Sequence, residues 1–460
     1  MKKISILYII VNFIISIYFI DLWSNAQNNS RGLPIVCLFE SGHINFDKYQ
    51  DKTCDKCIVN GHVYSDKAPL PTFTVIPFYG ILNLTGVFKS SVDDSTFKNV
   101  YALGAILCGV LPFLLILWLS FKNVFADNNP KSLNFETLML VMLPWYASFL
   151  FVFAGTFFGH LFSGALMLGA YIMLKKRSYL YCGLLAGLSV ASEYTLVIFP
   201  VIWFIQSGIK EKSLKLPVRM VLGALPSILF LFIYNYFITG NPLDNPYKYV
   251  TDDYAVMKTN FGFGLPSLNS LFGLSFSPYR GLFFYMPFLL LVLSVVCKNM
   301  TKIPLRTYLL HPLVISSVIY FVLISSYYSW WGGWTYGPRH LTIIAILISY
   351  EAIPYLIKHG YSKIFFWITT SFGLITAFIT RITQQYSIPS EIKNPLVDLI
   401  IPAFLKKEFN DNNLLSIIFG CSSTLAAIAW VFLFLIGIIA IKLYINRYNH
   451  RTERCSRSAP

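Results

Sequence analysis

The stretch from Phe39 to Pro71, FESGHINFDKYQDKTCDKCIVNGHVYSDKAPLP, is the densest polar segment in the chain. It carries Glu40, Asp47, Asp51 and Asp66, two histidines (His43 and His62) and Lys67, immediately before an apolar run. A carboxylate held against a membrane boundary is partly desolvated, which raises its pKa and makes it a better general base. Asp47, between Phe46 and Tyr49, is expected in that environment. The segment Tyr64-Ser65-Asp66-Lys67-Ala68-Pro69 is the second candidate. Asp51, Asp55, Lys52 and Lys56 fit an ordinary solvated loop.

Three further places combine charge with aromatic or apolar sequence. Arg280 follows FGLSFSPY at the expected outer end of a helix. Arg339 and His340 follow SSYYSWWGGWTYGP, a turn rich in Trp, Tyr and Gly that includes Trp331 and Tyr336. A cation at a bilayer boundary, one turn from aromatic rings, suits a phosphate, and snorkelling to lipid headgroups is the bland alternative. His160 and Glu193 fall inside apparent helices, where an ionisable side chain is a functional candidate by default. Capping of helix ends, or a structural pair between the two, is the bland alternative.

Of eight cysteines, Cys37, Cys54 and Cys57 lie in the same polar segment. In an oxidising compartment they predict a disulfide, between Cys54 and Cys57 or from Cys37 to either, with one thiol left over. With His43 or His62 they also supply enough ligands for zinc, which ranks lower because thiolates outside the cytoplasm are hard to keep reduced.

These residues must be positioned by membrane helices. Of 460 residues 56% are hydrophobic and only 12% charged, against about a quarter in soluble domains. Stretches long and apolar enough to span a bilayer are 4–23, 100–121, 137–157, 217–238, 284–298, 307–327, 337–357, 363–383 and 414–445. The run 158–206 is broken by Lys175-Lys176-Arg177 and by Glu193-Tyr194, and divides into 158–174, 179–193 and 195–208. The count is about twelve, in a single polytopic all-α membrane domain spanning 1–460, with both termini on one side. Arginine and lysine concentrate in short loops and in the 446–460 tail, which the positive-inside rule places in the cytoplasm. The net charge of +15 is therefore mainly a topology signal, compatible with anionic membrane lipids rather than nucleic acid as partner. The acids, including Asp93, Asp252 and Asp253, fall on the other face with three long segments, 24–99, 239–283 and 384–413. Long loops invested on one face predict that the chemistry happens there. The apolar 71–88, short and with two prolines, is expected to lie along the interface rather than to cross.

The arrangement resembles the GT-C class of membrane glycosyltransferases, near the protein O-mannosyltransferase and aminoarabinose-transferase branch (glycosyltransferase family 39-like). The resemblance rests on Asn45-Phe46-Asp47-Lys48-Tyr49, similar to the acidic motif of the first outer loop, and on Tyr64-Ser65-Asp66-Lys67-Ala68-Pro69-Leu70, similar to a Tyr-x-x-Lys-Pro-Pro-Leu element. SPYRGLFFYMPF and WWGGWTYGPRH resemble later segments of bacterial members. The chain departs at Lys48, where the motif has Glu, and at Ala68, where it has Pro.

The resemblance implies a sugar donor on a polyprenyl phosphate and an acceptor hydroxyl, on a glycan, lipid or protein, at the outer face of what would be a bacterial inner membrane. It implies an inverting displacement with Asp47 as base, and with Lys67 and Arg339, then Arg280 and His340, as phosphate contacts. Asp66 and His160 would position substrates, with Tyr64 and Glu193 beside them, and the aromatic turn bearing Trp331 and Tyr336 would stack on a sugar or flank the prenyl chain. No cofactor is demanded; a divalent cation near Asp47 is compatible with the spacing. A flippase or transporter of a lipid-linked sugar would share the helix count, but it predicts paired broken helices in two halves, which the sequence lacks. A non-catalytic scaffold of the same fold is the third alternative.

Overall fold

The computed structural model describes residues 2–87, 94–125, 134–251, 256 and 260–457, so Asp93, Asp252 and Asp253 lie outside the described residues. It is mainly helical. Each of the twelve apolar stretches coincides in large part with a helix. Among the described residues five helices are long and apolar enough to cross a membrane, or six with one bent pair, and the expected twelve requires shorter apolar helices as well. The helix Val218–Thr239 displays Leu229, Ile233 and Phe237 outward at successive turns, as a lipid-facing surface does. The protein is an integral membrane protein.

Three spans differ in detail from the sequence expectation. The first helix, α1, covers Lys2–Ile17, so Asp21 lies beyond its end. The stretch 137–157 is two pieces, Phe135–Tyr146 and Phe149–Gly155, meeting at 62°. The stretch 414–445 breaks at Gly420, which has φ +64°, into Leu414–Phe419 and a long helix that begins at Ser423.

Packing inside the bundle uses close backbone approach and a few strong polar ties, because burial of apolar surface drives little association within lipid. Tyr179–Val190 and Val218–Thr239 cross so tightly that a Cβ on Gly183 would sit 1.8 Å from the Met220 carbonyl oxygen, and one on Gly223 1.9 Å from that of Leu180. The bend near residue 147 is held by a buried arginine. Arg381 donates from Nη1 to the carbonyls of Phe151 (3.2 Å) and Val152 (3.3 Å), and from Nη2 to those of Ser16 (3.0 Å) and Phe19 (2.9 Å). Its guanidinium also lies 4.9 Å from the Phe151 ring centroid.

The long first loop is a folded cap. Helix α2, Ala26–Ser41, starts where the Asn25 side chain accepts the Asn28 N–H and ends at Gly42, whose φ of +78° suits the left-handed cap. Its residues 27–37 are all buried although they include Gln27, Asn28, Asn29, Ser30 and Arg31. Burying a polar run is costly unless its groups find hydrogen-bond partners. Asn28 donates to Asp21 (2.7 Å), Tyr101 donates to Asn29, and Ser30 and Ser65 hydroxyls meet at 2.8 Å.

A two-stranded hairpin follows, β1 Cys57–Val59 and β2 His62–Tyr64. Asn60 (φ 52°) and Gly61 (φ 86°) form its two-residue turn, the Asn-Gly signature of a hairpin. Helix α3, Leu70–Leu84, begins with Pro71 in its first turn and runs through the apolar segment expected at the interface. The second long loop reaches the hairpin through a bridge between Val250 and Cys57.

Candidate active site

The hairpin sorts the loop charges into two groups. On its inner side Asp55 and Asp66 converge on Lys67, whose Nζ lies 3.1 Å from Asp55 Oδ2 and 3.1 Å from Asp66 Oδ2. Asp55 also accepts from Gln27 Nε2 at 2.7 Å, and Asp66 Oδ1 from the Ser30 hydroxyl at 3.3 Å. Helix α2 adds a second cation: Arg31 Nη1 donates to Gln27 Oε1 at 2.6 Å, and its Nη2 lies 3.9 Å from Glu193 Oε1. Glu193 Oε1 is 3.2 Å from His160 Nδ1, and the His160 ring meets that of His340 edge-on at 5.8 Å. Arg339 completes the group; its charge acts on Asp55, Glu193 and Arg31.

Three cations (Arg31, Lys67, Arg339) thus share a largely buried site with three carboxylates (Asp55, Asp66, Glu193). The Nε atoms of both arginines and the Tyr194 hydroxyl are buried without a hydrogen-bond partner. A guanidinium with an unused edge in a low-dielectric site is suited to a planar or tetrahedral oxyanion. The Lys67 side of the site opens on a small pocket lined in part by Tyr64, Ser65, Phe73 and Tyr234.

The two buried aspartates are driven in opposite directions. Burial pushes both up; for Asp55 the charges of Lys67 and Arg339 outweigh it and hold the carboxyl below its ordinary range. For Asp66, burial prevails over Lys67 and the neighbouring Asp55 charge adds to it, so its proton affinity is raised. Lys67 is held charged: burial works against it, but the two carboxylates overcome this and raise its pKa. Opposed shifts in a touching pair separate a permanently ionised anchor from a group able to take a proton.

Of the residues singled out in the sequence, Asp66, Lys67, His160, Glu193, Arg339 and His340 come together here, with Tyr64 beside them. Asp47 stays apart. Its carboxylate, 42% exposed, accepts from the Val63 N–H at 2.6 Å and meets His62 Nδ1 at 2.7 Å. What burial it has raises its pKa, but those two bonds prevail and the net shift is downward, opposite to the expectation of a desolvated carboxylate. Asp55 corrects the converse expectation, since it is buried rather than solvated.

Arg280 is fully buried and donates to backbone carbonyls: Nε to Trp331 (2.9 Å), Nη1 to Tyr279 (2.8 Å), Nη2 to Gly333 (3.2 Å). It braces the aromatic turn and does not face the site with a free edge. Tyr336 is likewise a core residue, buried edge-on against Tyr285 at 4.7 Å, and Trp331 presents its carbonyl to Arg280. The cysteines do not pair as expected. Cys37 packs with Leu33, Phe46 and Val63, and Cys57 with Val59, Tyr234 and Ile238, so two different cores hold them. Burial pushes the Cys37 thiol up to about 12, and Cys54 is exposed on the loop. Among the described residues no three His, Cys, Asp or Glu side chains converge as a metal site.

Sequence reasoning missed Arg31, Gln27, Asp55 and Tyr247. Tyr247, in the second long loop, is half-buried where the charges of Asp66 and Glu193 act on it. The available signal was the run Gln27–Arg31, polar without interruption beside an apolar helix.

Among solved structures, the chain is similar to ArnT from Cupriavidus metallidurans in the apo state, at 12% identity and a TM-score of 0.50, over 96% of this chain and 76% of that one. ArnT from the same organism bound to undecaprenyl phosphate aligns over the same shares at 12% identity with a TM-score of 0.49. No protein-family model matches the sequence, and neither does any curated protein. The likeness is one of fold: a mainly helical membrane bundle, as the resemblance in the first-loop motifs implied.

Proposed function

We propose that this protein is a glycosyltransferase that moves a sugar from a polyprenyl-phosphate donor to an acceptor hydroxyl at the outer face of the membrane. The observation that carries this is the buried meeting of Arg31, Lys67 and Arg339 with the Asp55–Asp66 pair, with both arginine Nε atoms unpartnered. The GT-C-like fold supports the same reading, and the cavity lined by Tyr64, Phe73 and Tyr234 gives an apolar approach to Lys67.

The chemistry asks for a base and for cations. The acceptor oxygen attacks the anomeric carbon and loses its proton to a carboxylate. The bond from that carbon to the phosphate oxygen breaks, and its electron pair stays on the phosphate. A phosphate leaves without a general acid, but the charge that develops on it needs preorganised donors. Arg31, Arg339 and Lys67 supply them. Asp66, with its raised proton affinity, is the base, and Asp55 anchors Lys67. Attack opposite the leaving group inverts the anomeric configuration. Helix Gly159–Lys175 has His160 in this site at one end and Lys175, paired with Glu351 at 2.5 Å, at the other. Fifteen residues of helix separate the two by about 22 Å. Basic ends on the cytoplasmic side then put the site outside, with both termini inside.

The test is transfer by purified protein given polyprenyl-phosphate-linked sugars, comparing wild type with Asp66→Asn. Loss of transfer in the variant is expected. Undiminished transfer by Asp66→Asn removes this residue as base, and donor translocation without transfer in the wild type favours a flippase.

A further inference from the structure

Glu193 has no evident part in sugar transfer, yet it sits at the centre of the cationic group. It follows Tyr179–Val190 in an extended conformation (φ −154°, ψ 102°) and points its Oε1 between His160 Nδ1 and Arg31 Nη2. At 3.9 Å the contact to Arg31 is an ion pair without a hydrogen bond. Arg31 therefore has one nitrogen bonded to Gln27, a second facing a carboxylate it does not bond, and an Nε with no partner. That edge is incompletely used in a site where its charge needs compensation. The Glu193 side chain keeps 22% of its exposure, against 3% for Arg31, so it retains contact with solvent.

We propose that Glu193 is an internal counter-ion that stands in for the donor phosphate. It neutralises Arg31 in the empty site and competes with the lipid phosphate for that guanidinium. With three cations against three carboxylates the empty site is balanced, and a phosphate enters by taking over a cation that Glu193 holds. The same competition helps to expel the polyprenyl phosphate left after transfer, since the carboxylate returns to Arg31 as the product departs. Glu193 is in this sense a positioning residue that sets affinity for the phosphate against its release.

This rests on the donor reading above, and the experiment separates the two. Binding of undecaprenyl phosphate to the full chain in detergent is measured for wild type, Arg339→Ala, Glu193→Gln and Glu193→Asp. One negative charge removed at this distance in a low-dielectric site is expected to tighten Glu193→Gln by about tenfold. Glu193→Asp, which withdraws the charge from Arg31 without removing it, tightens by a smaller factor and serves if the glutamine variant fails to fold. In turnover with a polyprenyl-phosphate-linked sugar, kcat and KM of Glu193→Gln fall together as product is held. A purely structural Glu193 cannot give tighter binding when altered, so unchanged or weaker binding in a folded Glu193 variant overturns the proposal. Absent binding by wild type, or equal binding by Arg339→Ala, overturns the donor reading instead.

Discussion

The two halves of the first long loop have nearly the same composition and opposite fates. Residues 40–52 carry Glu40, Asp47, Lys48, Asp51 and Lys52, and residues 55–67 carry Asp55, Lys56, His62, Asp66 and Lys67. In the first half the pairs are peripheral: Lys48 bonds Glu40 with 67% of its side chain exposed, and Asp47 bonds His62. In the second, the hairpin turns Asp55 and Asp66 inward under α2, where Lys67 is 14% exposed and both acids are buried. Exposed pairs contribute little, whereas an unmatched charge in the buried set is costly. Which half of this acidic loop is buried among cations is decided by the hairpin within the second half, not by the number of charges.

The largest effect expected from this contrast is at Asp66. Asp66→Asn lowers kcat/KM by about a thousandfold, as loss of a general base does. A base works when deprotonated, so activity falls as pH drops through its folded pKa. The upward shift of Asp66 places that fall above the ordinary aspartate range. A pH–rate profile whose acid limb lies below that range transfers the base role to Asp55. Next is Arg339→Ala, expected to cost about a hundredfold in kcat/KM through lost stabilisation of the leaving phosphate. Arg280→Ala follows: it leaves buried carbonyls without a donor and destabilises the fold by about 3 kcal/mol, read as a lower thermal midpoint in detergent. Its donor KM is expected to hold, and a KM rise without loss of stability would return Arg280 to the phosphate site. The smallest is Asp47→Asn, which changes transfer by less than about twofold, as for other exposed positions away from the chemistry. A loss there comparable to that of Asp66→Asn would erase the distinction between the halves.

Helices were legible because period and length are local properties, and the twelve apolar stretches needed no tertiary knowledge. Lys67, Asp66, Arg339, His340, His160 and Glu193 were legible as charges beside apolar sequence. Arg31 was not, because α2 reads as a polar loop segment, and its burial depends on Asp21, Tyr101 and Ser65, partners from three other places in the chain. Asp55 was hidden for the same reason: between Cys54 and Lys56 it looks solvated, and only the Asn60–Gly61 turn brings it beneath Gln27. Arg280 resembled Arg339 in its aromatic surroundings, and what separates them is whether backbone carbonyls or an open site meet the guanidinium.

The bonds of Arg381 bear on how the protein is made. An arginine late in the chain must enter a bilayer that offers nothing to bond it. The four carbonyls that receive it come from residues 16, 19, 151 and 152. All are synthesised earlier, so the acceptors are already in the membrane when the Lys363–Thr383 helix emerges. The order of the chain lets this charge pass from ribosome to partner, and a circular permutation placing that helix first would deprive it of that partner during insertion.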